Sequence, residues 1–186
     1  EKAIDNMNTY LNSQVSIINQ FVKDSEEALR IFGTSPDVAN LLKNQDDEEA
    51  FKAAQKHTVE CFGLLDNWEG LYVGNWNSTC LTYHVDAVIG KTLREGERLE
   101  QLRNAMLESP NGVYDAGIIV SPGTGQLCLS MYSLVKDENG NPLGYVGGGV
   151  FSDQLKKLLD TTVASGIDSA KFYMVNVETG THIFDE

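Results

Sequence analysis

Three strand-length segments joined by two turns constrain this chain more than any other feature. "GVYDAGIIVS", "QLCLSMYSLV" and "PLGYVGGGVF" follow one another to Phe151, separated by "PGTG" and "KDENGN". Both joints are rich in residues that reverse the chain, so consecutive segments fold back as hairpins and the sheet they build is antiparallel. "WEGLYVGNW" and "CLTYHV", flanking "NST", read as another hairpin. The segments are nearly continuously apolar, which calls for helices on both faces of the sheet. No strand is expected before Asp66.

Upstream the texture is helical. Ile4, Met7, Leu11, Ile18, Phe21, Ala28 and Phe32 recur at close to heptad spacing, with Gln14 and Ser25 as polar interruptions. The pattern predicts one helix of about eight turns covering Met7 to Ile31. It either lies on its own domain's core or also forms a dimer seam, and Val15, Ile17, Val22, Leu29 and Ile31 widen the apolar face beyond a strict seam. In "GTSPD", Gly33 suits a left-handed position after the helix, Ser35 an N-cap and Pro36 a first turn. A short helix through Leu42 follows, then one opening at "DDEEA" and running toward Phe62. An amphipathic helix carries Leu99, Leu102, Ala105 and Met106, and another follows Ser152.

The glycines of "GYVGGGVF" raise a question of their own. Glycine weakens a strand, and where it occurs something usually approaches the backbone closely. Gly147, Gly148 and Gly149 either clear one wall of a ligand cavity or let a helix pack closely over the sheet.

The formal net charge of −13 leaves little basic surface to neutralise phosphates. It argues against nucleic acid and against an anionic membrane surface. Cys61, Cys80 and Cys128 are odd in number and lack metal-ligand spacing, so neither a disulfide framework nor a zinc site is expected. His57, His84 and His182 are scattered. No nucleophile elbow, phosphate loop or metalloprotease motif is present, so we expect no enzyme, no metal and no cofactor. No apolar run reaches transmembrane length. The chain opens inside a helical pattern and closes after a strand-like run, as an excised piece of a longer protein would.

The long helix, "GLYVGNWNSTCLTYHVDAVIGKTLREG" and "GVYDAGIIVSPGTGQLCLSMYSLVKDENGNPLGYVGGGV" together resemble the extracytoplasmic Cache sensor domain. This PAS-like fold occurs in bacterial chemoreceptors, sensor kinases and diguanylate cyclases. The match runs from about Leu64 to Asp160. A "TG" turn, an "NG-x-P-x-G" turn and a "G-x-V-G" strand appear in the family's order. The resemblance implies an α+β fold whose five-stranded antiparallel PAS-like sheet spans about Glu69 to Phe151. It implies three parts: residues 1–63 as long helix and connector, 64–165 as the membrane-distal sensing unit, and 166–186 as the start of a membrane-proximal unit, with a hairpin from Lys171.

The implied function is sensing of a small extracytoplasmic molecule by a membrane-anchored receptor, relayed through helices to a cytoplasmic output. The alternative is a ligand-free dimerisation or interaction module whose sheet is packed solid. In amino-acid-binding relatives an Asp stands where this chain has Gly149, and a Tyr where it has Ile119. "TLREGERLEQL" supplies Arg94 and Arg98 without the family's Trp–Tyr pair. With no acid at 149, the resemblance points to a ligand bulkier than an amino acid, or uncharged.

Alternation along the strands then places the site. If position 149 faces the ligand, so do Gly147 and Tyr145; if 119 does, so do Gly117 and Asp115. The "KDENGN" hairpin can set Ser130 and Tyr132 opposite Gly149 and Gly147, while a slip by one residue would substitute Leu129 and Met131. The expected ligand lies between the sheet and the segment from Tyr83 to Leu102. Asp115, Tyr132 and Tyr145 would give polar contacts, with Trp76 and Tyr83 as walls. Arg94 would accept a carboxylate, or else pair at the surface with Glu95 or Glu97.

Overall fold

In the computed structural model of the protein, residues 2–121, 124–161, 173–177 and 179–184 are described. Three helices come first: α1 (Lys2–Gly33), α2 (Pro36–Lys43) and α3 (Glu48–Leu64). Strands β1 (Trp68–Asn75) and β2 (Cys80–Tyr83) follow, then α4 (Gly96–Glu108). Next come β3 (Val113–Val120), β4 (Leu127–Lys136), β5 (Pro142–Phe151) and α5 (Asp153–Asp160). A small hairpin of β6 (Met174–Val175) and β7 (His182–Phe184) comes last. The five long strands form one antiparallel sheet in the order β2-β1-β5-β4-β3. This is the antiparallel α+β arrangement that the turns predict, in the PAS-like form that the resemblance implies, and among the described residues no strand precedes Trp68.

Local chemistry explains the joints. Ser35 caps α2, its Oγ accepting from the Asp37 amide at 3.3 Å, with Pro36 in the first turn. Asp47 caps α3, accepting from the amides of Glu49 and Ala50 at 2.8 and 3.1 Å. The β1–β2 turn is held by the Asn75 carboxamide oxygen, which accepts from the Asn77 and Thr79 amides. Asp137 does the same for Asn139 and Asn141 between β4 and β5. Of the "PGTG" turn, residues 122 and 123 lie outside the described set, as does residue 171 in the last hairpin. Gly33 corrects an expectation: its backbone is not left-handed. It is small because α1 lies directly on β5, where a Cβ at 33 would stand 2.9 Å from Val146 Cγ2.

One face of the sheet carries the main core. Phe21, Leu29 and Phe32 of α1 and Leu155 of α5 pack on Leu71, Met131, Val146 and Val150, with Trp68 at the edge. The polar interruptions of α1 lie in this buried stripe with their donors used. Gln14 Nε2 donates to the Leu159 carbonyl at 3.3 Å, and Ser25 Oγ to the Phe21 carbonyl at 2.7 Å. On the opposite face α4 sets Leu102 and Met106 against Tyr132 and Tyr145. That cover reaches only part of the face, and the end of the sheet around Gly149 stays open.

Candidate ligand-binding site

Each of the three central glycines of β5 answers a side chain of β1. The ring of Tyr72 lies over Gly147, where its Cε1 would be 2.6 Å from an added Cβ. The ring of Trp68 lies over Gly148 on the opposite face, with Cε3 3.1 Å from such a carbon. At Gly149 the occupant is the Glu69 carboxylate, whose Oε2 would be 2.8 Å away. The strip is therefore neither an empty wall nor the seat of a helix. It is filled from the neighbouring strand.

A bulge in β1 makes this possible. Trp68 pairs with Val150 and Gly70 with Gly149, leaving Glu69 as the extra residue. Simple alternation from Tyr72 would put Trp68 on its face and Glu69 on the other. The extra residue reverses both. Trp68 goes to the α1 core and Glu69 to the open face. There Glu69 Oε1 accepts from Ser121 Oγ and, at 3.2 Å, from Thr124 Oγ1, while Oε2 accepts from Cys128 Sγ at 3.3 Å.

Above this end of the sheet is a cavity of about 480 Å³. The sheet side is formed by Glu69, Tyr72, Cys128, Ser130, Tyr132 and the backbone of Gly149. Tyr83 closes one edge, its ring lying over Gly70. The roof comes from Val88, Leu93, Arg94 and Arg98, between β2 and the start of α4. Arg94 is turned inward: Nη2 donates to Tyr132 Oη at 2.5 Å, and its guanidinium stands 4.6 Å from the ring centroid. Tyr132 Oη is in turn 2.9 Å from Ser130 Oγ. Burial pushes the Tyr72 hydroxyl well above its ordinary pKa, so this hydroxyl is neutral at physiological pH. Among the described residues neither Arg94, Arg98 nor Glu69 takes part in an ion pair. The cavity thus has a cationic roof and one anionic corner that do not neutralise each other. No cluster of metal-ligating side chains exists among the described residues.

No protein-family model matches the sequence, and no curated protein matches it significantly. Solved structures do. The ligand-binding domain of the Campylobacter jejuni chemoreceptor Tlp3, solved with 4-methylisoleucine, superposes with a TM-score of 0.71 at 16% identity, over 98% of this chain and 69% of that one. The sensor domain of the Vibrio cholerae histidine kinase DctB gives 0.70 at 8% identity, over 93% and 63% of the two chains. The Escherichia coli DcuS sensor domain gives 0.57 at 14% identity, over 79% and 97%. The fold is that of the Cache sensor domains. These neighbours are the sensory or ligand-binding domains of their proteins.

Within this Cache fold the expected site residues divide. Tyr83, Arg94, Ile119, Tyr132 and Gly149 line the cavity. The β4–β5 register sets Ser130 opposite Gly149 and Tyr132 opposite Gly147, the first of the two registers that the hairpin allows. Asp115 and Gly117 do not reach the cavity. A second bulge in β3, between Asp115 and Ile118, breaks the alternation: Asp115 pairs with Met131, on the α1 face, while Ile119 pairs with Cys128 on the cavity face. Gly117, at φ +79°, is the bend itself, and Asp115 Oδ1 accepts from its amide at 2.6 Å.

Gly147 lies beneath Tyr72 and does not line the cavity. Tyr145 is buried under α4, its hydroxyl 2.6 Å from Ser78 Oγ. Trp76 is held by Arg103, which donates to its carbonyl at 2.7 Å and lies over its ring. Arg94 does not pair with Glu95 or Glu97; the Tyr132 ring draws it inward instead. Glu69, Tyr72 and Cys128 escaped the sequence reading. The loss of an acid at 149 is correct as sequence, but a carboxylate from β1 occupies the vacated space, so the expectation of an uncharged or bulkier ligand no longer follows.

Proposed function

We propose that this chain is the ligand-sensing domain of a bacterial transmembrane receptor, binding a small molecule in the cavity between the sheet and the Tyr83–Leu102 segment. One observation carries this reading: a preformed cavity of about 480 Å³ with a half-buried guanidinium, Arg94, that donates to the Tyr132 hydroxyl and, among the described residues, takes part in no ion pair. A solid sheet face, as a ligand-free module would have, is not what the fold presents. Arg94 is suited to an anionic group on the ligand, with Arg98 at the mouth. The Tlp3 domain, solved with isoleucine and with valine, shows that the fold holds molecules of this size.

The domain acts by binding, without catalysis. Its place is outside the cytoplasm, in a membrane-anchored parent with a cytoplasmic output; among the described residues no helix is long and apolar enough to cross a membrane. Residues 64–165 form the sensing unit, and the β6–β7 hairpin belongs to a second, membrane-proximal unit. Two copies associate through α1, where Ile4, Met7, Leu11 and Val15 form one stripe, each about half exposed.

The test is a thermal-shift screen of metabolites on the purified chain. A ligand at 100 times its Kd adds about 2.7 kcal/mol. Hits that vanish in Arg94→Gln support the reading, and a panel without a single Arg94-dependent hit overturns it.

A further inference from the structure

We propose that the domain has a second small-molecule site, on the α1 face of the sheet, that takes an organic amine: a protonated nitrogen carried on an apolar body. The site is separate from the cavity described above and does not depend on the sensory reading.

A cavity of about 390 Å³ opens where α1 and α5 meet the start of β1 and the end of β5. Its volume falls within the ~300–1,000 Å³ of small-molecule sites. The floor is apolar, formed by the buried side chains of Phe21, Trp68 and Val150, with Ile17 and Leu158 as walls. Trp68 is presented here by the β1 bulge that sends Glu69 to the other face.

The charged groups of this cavity are all of one sign. Asp24 on α1 and Asp66 before β1 stand exposed at its rim, and neither takes part in an ion pair among the described residues. Gln20 donates to Asp24 Oδ1 at 2.6 Å and steadies that carboxylate. Ser25 lines the cavity while its proton is committed to the Phe21 carbonyl, so its oxygen is left to accept. Among the described residues no Lys, Arg or His lines the cavity. Two carboxylates above an apolar floor attract a cation with N–H donors and repel an anion. The sensory cavity, with Arg94 and Arg98 in its roof, has the opposite preference at its mouth.

The competing occupant is a second copy of this chain. Each copy carries a formal charge of −13, so self-association here would bring more negative charge against Asp24 and Asp66. A small cation relieves that charge instead. Seated in the cavity it touches α1, α5, β1 and β5 together, and so braces the long helix against the sheet.

The experiment follows the indole N–H signals of Trp68 and Trp76, the two tryptophans of the chain, by two-dimensional NMR. Trp76→Phe assigns the signals, and the titrations use the unaltered chain. The probes are phenethylamine and isoamylamine, beside hydrocinnamate and hydrocinnamyl alcohol as the acid and alcohol of similar shape. The amines are expected to shift the Trp68 signal saturably and to leave that of Trp76 in place. The acid and the alcohol bind about tenfold more weakly or not at all. Asp24→Asn and Asp66→Asn each weaken the amines about two- to fivefold, and added salt acts in the same direction. Gly149→Leu, which fills the other cavity, leaves amine affinity unchanged. An unmoved Trp68 signal, equal affinity for hydrocinnamate, or indifference to both Asn variants overturns the proposal. Loss of amine binding in Gly149→Leu overturns it too, by assigning the amine to the sensory cavity. A Trp68 signal that moves with protein concentration alone assigns the cavity to a second copy and overturns it as well. The sensory reading stands in each case.

Discussion

The ring of Tyr72 on β1 occupies the space in which any residue larger than glycine at position 147 would place its first side-chain carbon. The neighbouring Gly149 differs, because only the flexible end of Glu69 stands in its way. Gly147→Ala is therefore expected to destabilise the domain by roughly 1–3 kcal/mol through overpacking. Gly149→Ala leaves the urea midpoint nearly unchanged and instead weakens ligand binding by displacing the carboxylate. Gly149→Leu fills the cavity and abolishes binding while the fold survives. Urea denaturation and calorimetry on the three variants check the contrast; equal losses of stability at 147 and 149 would contradict it.

The two sheet cysteines are chemically silent. Burial pushes the thiols of Cys80 and Cys128 up to about 12, with the Glu69 carboxylate adding to the shift at Cys128. The thiolate is the reactive species, so neither reacts appreciably at pH 8. Half-buried Cys61 is the expected target of iodoacetamide in the native chain, with all three alkylated after unfolding. Mass spectrometry counts the adducts, and fast labelling of Cys128 in the native chain would refute the described packing.

Acid weakens the fold through His84. Its ring is stacked on Phe62 with 3.8 Å between centroids and lies tilted at 4.2 Å from Tyr83, with Nδ1 buried and, among the described residues, unpartnered. Burial holds its pKa below the ordinary 6.5, against the opposing pull of Glu69. Between 6.5 and the lower folded value the unfolded chain binds more protons, so this contribution to stability is full above pH 6.5 and is lost as the pH falls. The difference in Tm between wild type and His84→Gln, followed from pH 7.5 to 5, is expected to narrow or reverse toward acid. A difference independent of pH would rule the titration out.

Asp115 has the opposite sign. Burial raises its pKa, so folding disfavours the charged form and the cost appears as the pH rises past the unfolded value of about 3.8. Nearby Glu26 is raised by burial and by Asp115. Asp115→Asn retains an acceptor for the Gly117 amide and removes the charge, which predicts roughly 0.5 kcal/mol of added stability at pH 7. Because Asp115 faces α1, ligand affinity does not change. A loss of binding in this variant would place Asp115 back in the site.

How much of this was legible in the sequence depends on what each residue's position required. The Ser130–Gly149 and Tyr132–Gly147 pairs are one of two registers that the "KDENGN" turn and the alternation of strands allow, and the structure selects it. Arg94 could be placed in the segment above the sheet, though not its inward turn onto Tyr132. The bulges at Glu69 and before Ile118 reverse alternation locally, and a period-two argument run through them puts Asp115 on the wrong face and overlooks Glu69. Gly117, a glycine inside a strand pattern, was the available sign of the second bulge. Nothing comparable marks the first, where the cause is the fit of Trp68, Glu69 and Tyr72 to glycines on a strand more than seventy residues away.

The way α1 is anchored has a mechanical meaning. Gln14 is the first residue of this helix to be buried, and its side chain ties the helix to the end of α5. From there to Lys2 the helix is an arm of about 18 Å. Its root bears on β4 and β5, the strands whose other face forms the cavity floor. A tilt of about 5° at the root moves the tip by ~1.6 Å for an arm of this length. Strand adjustments too small to disturb the core therefore become displacements the size of a side-chain contact at the far end, with the helix as a lever and the sheet as its fulcrum.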